Sequence, residues 1–234
     1  MNNSTEGRPK ISIVIPAYNE EQRIKTVIKN YCGFFHDFEL VVVCDGIDST
    51  NKIVRELMIS CPQIKLLEFS NRLGKGQAIK EGLKKAIADK VGFVDADESV
   101  EASDVKKMFD ALSYADGVIA SRRLKESKIL IKQPLKRRIS SGIFNIFVRI
   151  LFGLNFKDTQ CGAKVFRRNA IEECLFELNT KGFEFDVELL WRLKKRGLNI
   201  IEFPITWKHS EGSSFGLSNA PKMFFSLLKV RIWN

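Results

Sequence analysis

The sequence lacks several features that would place it in a common class of protein. It has only two histidines, and its five cysteines form no C-x-x-C pair. We therefore expect neither a zinc site nor a disulfide framework, and we expect a reducing compartment such as the cytoplasm. No stretch reaches the roughly 18 uncharged apolar residues of a spanning helix, and residues 1–10 lack the apolar core of a signal peptide. We expect a chain that is neither exported nor inserted across a membrane.

The sequence does have enough apolar residues for one large core and an excess of positive charge. Of its 234 residues, 44% are hydrophobic, which suits a single domain. Lysine and arginine number 38 against 28 acids, a net charge of +10. This charge favours nucleic acid, anionic lipid head groups or a substrate diphosphate without choosing among them. Because no RNA- or DNA-binding motif is present, we expect no nucleic-acid partner.

Apolar patterning predicts an α/β fold with a mostly parallel sheet. Short β-branched runs alternate with stretches of helical period, which is typical of Rossmann-like folds with helices on both faces. In such sheets ligands bind beyond the carboxyl ends of the strands. The predicted strands are 11–15, 39–43, 64–69, 91–94, 118–120 and 200–207, and the predicted helices include 24–31, 53–58, 105–112, 139–154 and 185–195.

The first two predicted strands end in residues that can contact a nucleotide. Residues 16–20 read Pro-Ala-Tyr-Asn-Glu, an aromatic ring and a carboxylate suited to a base and a ribose. Asn19, with Gln22 three residues later, equally fits a helix N-cap and nothing more, so both interpretations stand. Asp45 follows the second strand, and two acids at one sheet edge favour a nucleotide pocket over coincidence.

A lysine between two glycines, Lys75, follows the third predicted strand. Gly74 and Gly76 at the start of a helix suit the binding of an anion. The loop matches neither a P-loop, in which Ser or Thr follows the lysine, nor G-x-G-x-x-G, because Ile79 takes the place of the last glycine. These mismatches argue against ATPases and NAD-dependent oxidoreductases.

The fourth predicted strand ends in two acids one residue apart, Asp95 and Asp97. Hard divalent cations such as Mg2+ and Mn2+ prefer carboxylate oxygens and often keep water and substrate phosphates as their other ligands. A D-x-D pair is also common on solvated surfaces. Acids at three strand ends together favour the metal interpretation here.

Beyond residue 120 most charged residues are typical of solvated surfaces. This applies to the acids at 184–188, which include Asp186, and to the basic cluster at 132–138, which includes Lys136 and Arg137. Arg122 is the exception, because it follows a strand and can bind a phosphate through two parallel hydrogen bonds.

Taken as a set, the motifs resemble the family 2 glycosyltransferases of the GT-A fold. Within that family they look most like dolichyl-phosphate glucosyltransferases, with dolichyl-phosphate mannose synthases more distant. The resemblance spans residues 10–215 and agrees in order and spacing. It rests on VIPAYNE at 14–20, VCDG at 43–46, GKG at 74–76, DAD at 95–97, ASR at 120–122, DTQCGAKVF at 158–166, GFEFDVELL at 182–190 and FPITW at 203–207.

The resemblance implies that residues 1–234 form a single GT-A domain. It also implies an enzyme that transfers a sugar from a UDP-sugar to a dolichyl or polyprenyl phosphate, with inversion at the anomeric carbon and with Mg2+ or Mn2+ as cofactor. The implied sugar is glucose or a sugar like N-acetylglucosamine. Residues of about 10–120 would bind the donor, and residues of about 121–234 would bind the acceptor. The implied nucleotide-sugar residues are Pro16, Ala17, Tyr18, Glu20, Asp45, Lys75, Asp95 and Ala96. The other implied roles are metal binding by Asp95 and Asp97, catalysis by Asp97, Arg122 and Asp186, and acceptor-phosphate binding by Arg122, Lys136 and Arg137.

Two departures and two alternatives accompany the resemblance. Cys44 replaces the first acid of the Asp-Asp pair that is usual in this family, which leaves open whether the donor nucleotide is UDP or GDP. Ser214 stands where relatives commonly carry a lysine, which removes one expected phosphate contact. The first alternative is that the acceptor is a hydroxyl of a glycan or protein, in which case Asp186 would act as the base. A phosphate monoester would not need a base, because its second pKa is about 6 and it is already anionic near neutral pH. The other alternative is a non-catalytic nucleotide-binding protein, which has no reason to keep a D-x-D pair.

Residues 139–154 predict an apolar helix that is too short to span a membrane. Arg138, Asn145 and Arg149 recur on a narrow polar stripe. One interpretation is that this helix lies in the membrane interface, with basic residues 132–138 beside anionic lipid. The protein would then be peripheral on the cytoplasmic face of a membrane. The other is a buried core helix. The side chains expected to insert into lipid are Phe144, Phe147 and Leu151.

Overall fold

Strands and helices alternate through the first half of the chain, as the apolar pattern predicts. A computed structural model describes residues 8–210 and 220–233, without the side chains of residues 137, 220–222 and 233. Ser214 therefore lies outside the described residues. The strands are β1 (Ile11–Ala17), β2 (Phe38–Cys44), β3 (Ile64–Glu68), β4 (Lys90–Phe93), β5 (Gly117–Ser121), β6 (Lys128–Ile131), β7 (Lys164–Arg167), β8 (Ile200–Pro204) and β9 (Thr206–Lys208). The helices are α1 (Ile24–Phe34), α2 (Thr50–Ser60), α3 (Lys75–Lys85), α4 (Ala102–Ala111), α5 (Leu135–Phe152), α6 (Arg168–Glu177), α7 (Phe185–Lys195) and α8 (Ala220–Trp233).

Seven strands form the main sheet in the order β3-β2-β1-β4-β7-β5-β8, and β6 pairs with β9 in a second sheet. The pairs β1–β2, β1–β4, β2–β3 and β5–β8 are parallel, which confirms the predicted mostly parallel sheet. Strand β7 is antiparallel to both β4 and β5. Those two neighbours therefore run in the same direction, and the carboxyl ends of β1, β2, β4 and β5 meet at one edge.

The second half of the sheet differs from the sequence expectation. The expected strand at 200–207 is two strands, β8 and β9, which Ile205 separates and which pair in different sheets. Apolar pattern does not predict β6, because its side chains are mostly exposed, or β7, because the fully buried Lys164 occupies a core position.

Helices cover both faces of the main sheet. Ile13 and Leu40 pack with α1, α2 and α4 on one face, while Val14 packs with α3, α6 and α7 on the other. Neighbouring residues of β1 thus point to opposite faces, as the pleat of a strand requires. With both faces buried, the edge at the carboxyl ends remains for a ligand.

The loop after β1 packs directly on the loop after β2. Asn19 has a positive φ of 55°, and its side-chain oxygen accepts from the backbone N–H of Ile47 at 2.9 Å. The N-cap interpretation of Asn19 is therefore wrong, since α1 begins only at Ile24. A Cβ on Gly46 would lie 2.5 Å from this oxygen, so glycine is needed for the two loops to meet.

Cys32 and Cys61 form a disulfide between α1 and the end of α2, so the expectation of no disulfide was wrong. The two residues are 29 positions apart, and only the side-by-side packing of the two helices brings them together. Cys44, Cys161 and Cys174 are free and buried. Because disulfides persist in oxidising environments, the cysteines no longer argue for a reducing compartment.

Helix α5 has a different polar and apolar arrangement from the one expected. Asn145 is buried and donates to the backbone oxygens of Phe156 and Lys157, so it does not belong to an outward polar stripe. Phe144, Phe147 and Leu151 are partly buried against a core cluster that includes α7 and α8, rather than free to enter lipid. The exposed apolar side chains of α5 are instead Leu135, Ile139, Ile143, Ile146 and Ile150. Across the described part of the chain, none of the helices combines the length and the apolar character needed to cross a membrane.

Candidate functional site

Two cavities open at the carboxyl edge of the main sheet and share one wall. Cavity A, of about 650 Å³, lies beyond β1 and β2 and beside the start of α3. Cavity B, of about 460 Å³, lies beyond β4, between α1, α5 and β9. The side chains that line both are Lys75, Asp95, Asp97, Phe183 and Met223.

Cavity A brings together all the residues expected to contact a nucleotide sugar. Their elements are far apart in sequence and meet only because β1, β2 and β4 end at the same edge. Arg72, which the sequence did not single out, lies with its guanidinium carbon 4.0 Å from the ring centre of Tyr18. The expected residues that line cavity A are Pro16, Ala17, Tyr18, Glu20, Asp45, Lys75, Asp95 and Ala96.

Glu20 is a buried acid in the wall of cavity A. Its carboxylate accepts from Nε of Arg23 at 2.8 Å, and its backbone N–H donates to the hydroxyl of Thr50 at 2.8 Å. Burial raises the pKa of Glu20 to about 7, because the ion pair with Arg23 only partly offsets the loss of water. The side chain can therefore change its charge near neutral pH.

Asp45 fixes the loop that leads into α3. Its Oδ2 accepts from the backbone N–H groups of Leu73 and Gly74, at 2.7 and 3.2 Å. Gly74 has a φ of 87°, a left-handed conformation that favours glycine, and a Cβ there would lie 2.7 Å from the backbone oxygen of Lys181. The acid after β2 thus positions the Gly-Lys-Gly loop as well as lining the cavity.

Lys75 lies opposite the acids that separate the two cavities. Its Nζ is 2.7 Å from Oδ1 of Asp95 and is almost buried. Burial alone would lower the pKa of Lys75, but the charge of Asp95 outweighs it and holds the pKa well above its usual value. The lysine is therefore a permanent cation at this junction, suited to a diphosphate.

Asp95 and Asp97 have the geometry of a partial site for a divalent cation. Asp97 accepts from the backbone N–H of Ser99 at 3.0 Å, and both acids face both cavities. No third His, Cys, Asp or Glu joins them in a metal-binding cluster within residues 8–210 and 220–233. Mg2+ commonly takes one or two carboxylates and completes its shell with phosphate oxygens and water, so these residues fit such an ion bound together with a diphosphate.

The Cys-Gly loop presses against the first of these acids. A Cβ on Gly162 would lie 1.9 Å from Oδ2 of Asp95, a distance that no side chain tolerates. This contact explains why glycine follows Cys161 in the Asp-Thr-Gln-Cys-Gly motif. The motif therefore helps to hold the strand-end acid in place.

Arg122 follows β5, as expected, and the structure places it in the lining of cavity B. Its Nε and Nη2 donate to the two carboxylate oxygens of Asp158 at 2.7 and 2.8 Å, and its backbone N–H donates to the same acid at 3.0 Å. The guanidinium carbon lies 5.4 Å from the ring centre of Trp207. Burial raises the pKa of Asp158, but Arg122 outweighs it and brings that pKa to about 2.

Asp186 also lines cavity B, but it already has a cationic partner. The fully buried Nζ of Lys164 lies 2.6 Å from its Oδ1 and donates to the backbone oxygen of Cys161 at 2.8 Å. A general base must lie within hydrogen-bond reach of the proton that it abstracts, and here the described hydrogen bond of the carboxylate is to the ammonium of Lys164. The arrangement favours a positioning role for Asp186 over the role of base.

The structure does not bring Lys136 to either cavity. Lys136 is exposed in the first turn of α5 and is not among the described residues that line cavities A and B. Arg137 belongs to the same turn, but its side chain lies outside the described residues. The phosphate-binding role expected of these two residues stays a prediction.

Sequence reasoning missed several residues that complete the two cavities. Phe183 lies in the loop before α7, and Met223 comes from α8, more than a hundred positions from the D-x-D pair. Asp158 belongs to the motif at 158–166, but its pairing with Arg122 joins residues 36 positions apart and depends on tertiary packing. Phe183 belongs to the motif at 182–190, but neither its place beside the D-x-D pair nor that of Met223 can be read from the local sequence, because only tertiary packing brings them to this edge.

The chain belongs to a family of sugar-transferring enzymes. Residues 12–175 match the model of "Glycosyl transferase family 2", which covers more than half of the sequence. The protein is therefore a family 2 glycosyltransferase, and the resemblance drawn from its motifs is confirmed. Its fold is that of the GT-A glycosyltransferases.

Two relatives of known description and one solved structure are similar to this chain over most of its length. The dolichyl-phosphate beta-glucosyltransferase of Saccharomyces cerevisiae is 33% identical over 249 residues, covering 95% of this chain and 74% of the relative. The enzyme of the same description from Dictyostelium discoideum is 29% identical, covering 94% and 73%. Glucosyl-3-phosphoglycerate synthase from Mycobacterium tuberculosis, solved with Mn2+, UDP and glucosyl-3-phosphoglycerate, has a TM-score of 0.65 at 19% identity, covering 96% of this chain and 78% of that one.

Proposed function

We propose that this glycosyltransferase moves glucose, or an N-acetylglucosamine-like sugar, from a UDP-sugar to a dolichyl or polyprenyl phosphate, with inversion at the anomeric carbon and with Mg2+ or Mn2+ as cofactor. The observation that carries the proposal is the pair Asp95 and Asp97, which faces two adjoining cavities at once. One cavity has residues suited to a nucleotide and the other has Arg122. A donor and an acceptor bound in them would meet at the acids.

The comparisons support the finer choices of donor and acceptor. Two relatives are described as dolichyl-phosphate beta-glucosyltransferases, which favours a lipid phosphate acceptor and glucose. A structural neighbour was crystallised with UDP and Mn2+, which favours a uridine nucleotide and a divalent ion. These ligands are proposed here for cavity A.

The reaction needs charge stabilisation more than proton transfer. An oxygen of the acceptor phosphate forms a bond to the anomeric carbon, and the bond from that carbon to the β-phosphate of UDP breaks, with the electron pair leaving on UDP. When bound at Asp95 and Asp97, the divalent ion would neutralise charge on the leaving diphosphate. Lys75 lies beside it as a fixed cation, and Arg122 would orient the attacking phosphate.

The geometry of Asp186 supports lipid phosphate over the alternative acceptor, a glycan or protein hydroxyl. A hydroxyl must lose a proton as it attacks, whereas a phosphate monoester is largely ionised above a pKa of about 6. One carboxylate oxygen of Asp186 is already engaged by Lys164 at 2.6 Å, an arrangement that favours a positioning role over the role of base. A phosphate acceptor therefore suits this site better.

The proposal is tested by transfer of radiolabelled sugar from UDP-glucose, UDP-N-acetylglucosamine and GDP-mannose to polyprenyl phosphate in the presence of Mn2+. We expect transfer from a UDP-sugar and tighter binding of UDP than of GDP by calorimetry. Transfer to a soluble glycan or peptide, with none to the lipid phosphate, would show that the acceptor is a hydroxyl and not a lipid phosphate. Tighter binding of GDP would overturn the choice of nucleotide.

We also propose that the protein associates peripherally with membranes through α5. Five apolar side chains of this helix are more than half exposed, which is unusual for a surface that faces only water. Basic residues at 128–138 adjoin them in sequence and favour anionic lipid. An amphipathic helix of this kind can hold the enzyme where a polyprenyl phosphate is found.

A further inference from the structure

Two pairs of a lysine and an aspartate lie where the two cavities adjoin, and they differ in their surroundings. Lys164 is fully buried, and its Nζ lies 2.6 Å from Oδ1 of the buried Asp186. In the other pair, Nζ of Lys75 lies 2.7 Å from Oδ1 of Asp95, with 14% and 31% of the two side chains exposed, and both residues line both cavities. The ammonium of Lys164 is closed to a ligand, whereas that of Lys75 can be reached from either cavity.

Asp95 cannot serve Lys75 and a divalent cation equally well. The ammonium of Lys75 contacts Oδ1 of Asp95, and the backbone of Gly162 packs against Oδ2. A divalent cation on the same carboxylate would lie close to the ammonium, and like charges at that distance repel strongly in a site partly shielded from water. The ion pair therefore opposes the binding of a metal ion at Asp95 for as long as it is made.

The chain offers a metal ion little to compensate for this repulsion. Within residues 8–210 and 220–233, no third His, Cys, Asp or Glu joins Asp95 and Asp97 in a cluster that could hold a metal. An ion held by two carboxylates must take its other ligands from water and phosphate. A diphosphate brings phosphate oxygens for the ion and negative charge for the ammonium of Lys75. An ion that binds alone brings neither.

The position of Lys75 allows its ammonium to change partners while its charge stays the same. Lys75 begins α3 and lines cavity A, where the nucleotide is proposed to bind. Its Nζ lies 5.8 Å from the ring centre of Phe183, within the range of a cation–π contact, and Phe183 also lines both cavities. Because a lysine has a flexible four-carbon stem and three rotatable donors, the ammonium can turn from a carboxylate to a phosphate without a movement of the helix.

We infer that Lys75 competes with the metal ion for Asp95. Its ammonium holds Asp95 until a nucleoside diphosphate binds in cavity A, and it then pairs with the diphosphate, which leaves Asp95 available to a divalent cation. The inference rests on the proposed function and deepens it, because it makes Lys75 the residue that couples the binding of the nucleotide to that of the metal. By linkage, each of these two ligands raises the affinity for the other by the same factor.

The competition is tested with Lys75→Met and with Mn2+ alone, whose free concentration is followed by electron paramagnetic resonance without nucleotide. Because Asp95 loses its ammonium partner, the variant should bind Mn2+ about tenfold more tightly than the wild type. Its affinity for UDP in the presence of Mn2+, measured by calorimetry, should fall about tenfold, because one charge-assisted contact with the diphosphate is lost. A purely structural role of Lys75 would weaken both. If Lys75→Met does not fold, Lys75→Gln serves in the same two measurements.

The matched control is Lys208→Met, which removes the same charge from the lining of cavity B. Lys208 is paired with Glu98 at 3.0 Å and is 44% exposed, so its loss does not release Asp95. The affinity of this variant for Mn2+ alone should stay within about twofold of the wild type, since exposed ion pairs contribute little. Equal tightening in Lys75→Met and Lys208→Met would show that net charge, and not competition for Asp95, controls the metal, and would overturn the inference.

The coupling in the wild type separates this inference from the proposed function. UDP should raise the affinity for Mn2+ about tenfold or more, once the Mn2+ bound by free UDP is subtracted, and this factor should be smaller in Lys75→Met. A wild type that binds Mn2+ equally well with and without UDP would overturn the inference and leave the proposed transfer in place. A wild type that binds no UDP in the presence of Mn2+ would overturn both.

Discussion

Asp97 faces both cavities and makes one described side-chain hydrogen bond, to the backbone of Ser99. Asp95, by contrast, is bound by Lys75. Asp97 is therefore the acid with more freedom to bind a cation. Its position at the wall between the cavities is where a cation would have to lie to neutralise the leaving diphosphate of the proposed reaction.

We expect Asp97→Asn to lower kcat/KM by about a hundredfold or more, the usual effect of removing one group that stabilises charge in the transition state. The variant should fold normally, because the amide can still accept from Ser99. Steady-state rates with Mn2+ and a thermal unfolding curve give the two measurements. Asp110→Asn, on the exposed side of α4, is the control. Full turnover of the wild type in EDTA would contradict the metal role.

Glu20 illustrates the cost of burying an acid at a binding edge. Its pKa is raised from 4.5 to about 7, so the folded state favours the protonated form. Below pH 4.5 both folded and unfolded chains are protonated at this residue and it costs nothing. As the pH rises from 4.5 through 7, the unfolded chain ionises first, and the folded state loses stability.

Glu20→Gln should therefore gain stability relative to the wild type as the pH rises from about 4.5 to 8, by up to roughly 3 kcal/mol for a shift of this size. The free energy of unfolding in denaturant, measured at several pH values, gives the difference. Glu56→Gln, on the exposed side of α2, is the control. A difference between Glu20→Gln and the wild type that stays constant with pH would contradict the raised pKa.

At the scale of the helices, α5 has two apolar faces with different tasks. Phe147 packs inward, with its ring centre 4.3 Å from that of Phe224. Ile143, Ile146 and Ile150 point outward and are 64%, 58% and 79% exposed. Substitution of the two faces should therefore affect different properties of the protein.

Replacing Ile143, Ile146 and Ile150 with serine should lower binding to anionic vesicles at least tenfold with little loss of stability, because the apolar area is exposed in the free protein. Phe147→Ser should instead destabilise the fold by about 3 kcal/mol. Vesicle sedimentation and thermal unfolding separate the two effects. The control is Ile47→Ser with Ile59→Ser, two exposed positions away from α5. Unchanged sedimentation of the triple variant would place the contact elsewhere.

The sequence predicts the first half of the sheet because each strand and helix there is a local pattern. The D-x-D pair and Arg122 can be found in the same way, since the edge of a parallel sheet follows from the order of its strands. The inward side of α5 could not be predicted, because both of its faces are apolar and Asn145 is satisfied by carbonyls eleven and twelve residues away. The Cys32–Cys61 pair and the place of Met223 likewise depend on tertiary packing.

At the scale of the whole molecule, binding to anionic membranes and binding of a nucleotide should respond differently to salt. The net charge of +10 acts over the distances at which salt screens, about 8 Å at physiological ionic strength. The nucleotide residues lie in a cavity among fixed, partly buried charges such as Lys75, which is only 14% exposed. Exposed basic side chains such as Lys136, by contrast, lie in water.

Binding to vesicles that contain anionic lipid should therefore fall at least tenfold between 50 mM and 500 mM salt, since each exposed lysine or arginine near the surface contributes about 1 kcal/mol that screening removes. UDP affinity in the presence of Mn2+ should fall much less over the same range, because the charges around cavity A are shielded from bulk ions. Sedimentation with anionic and neutral vesicles, and calorimetry with UDP, make the comparison. Vesicle binding that is equal for neutral and anionic lipid would show that the exposed isoleucines of α5 act without help from the positive charge.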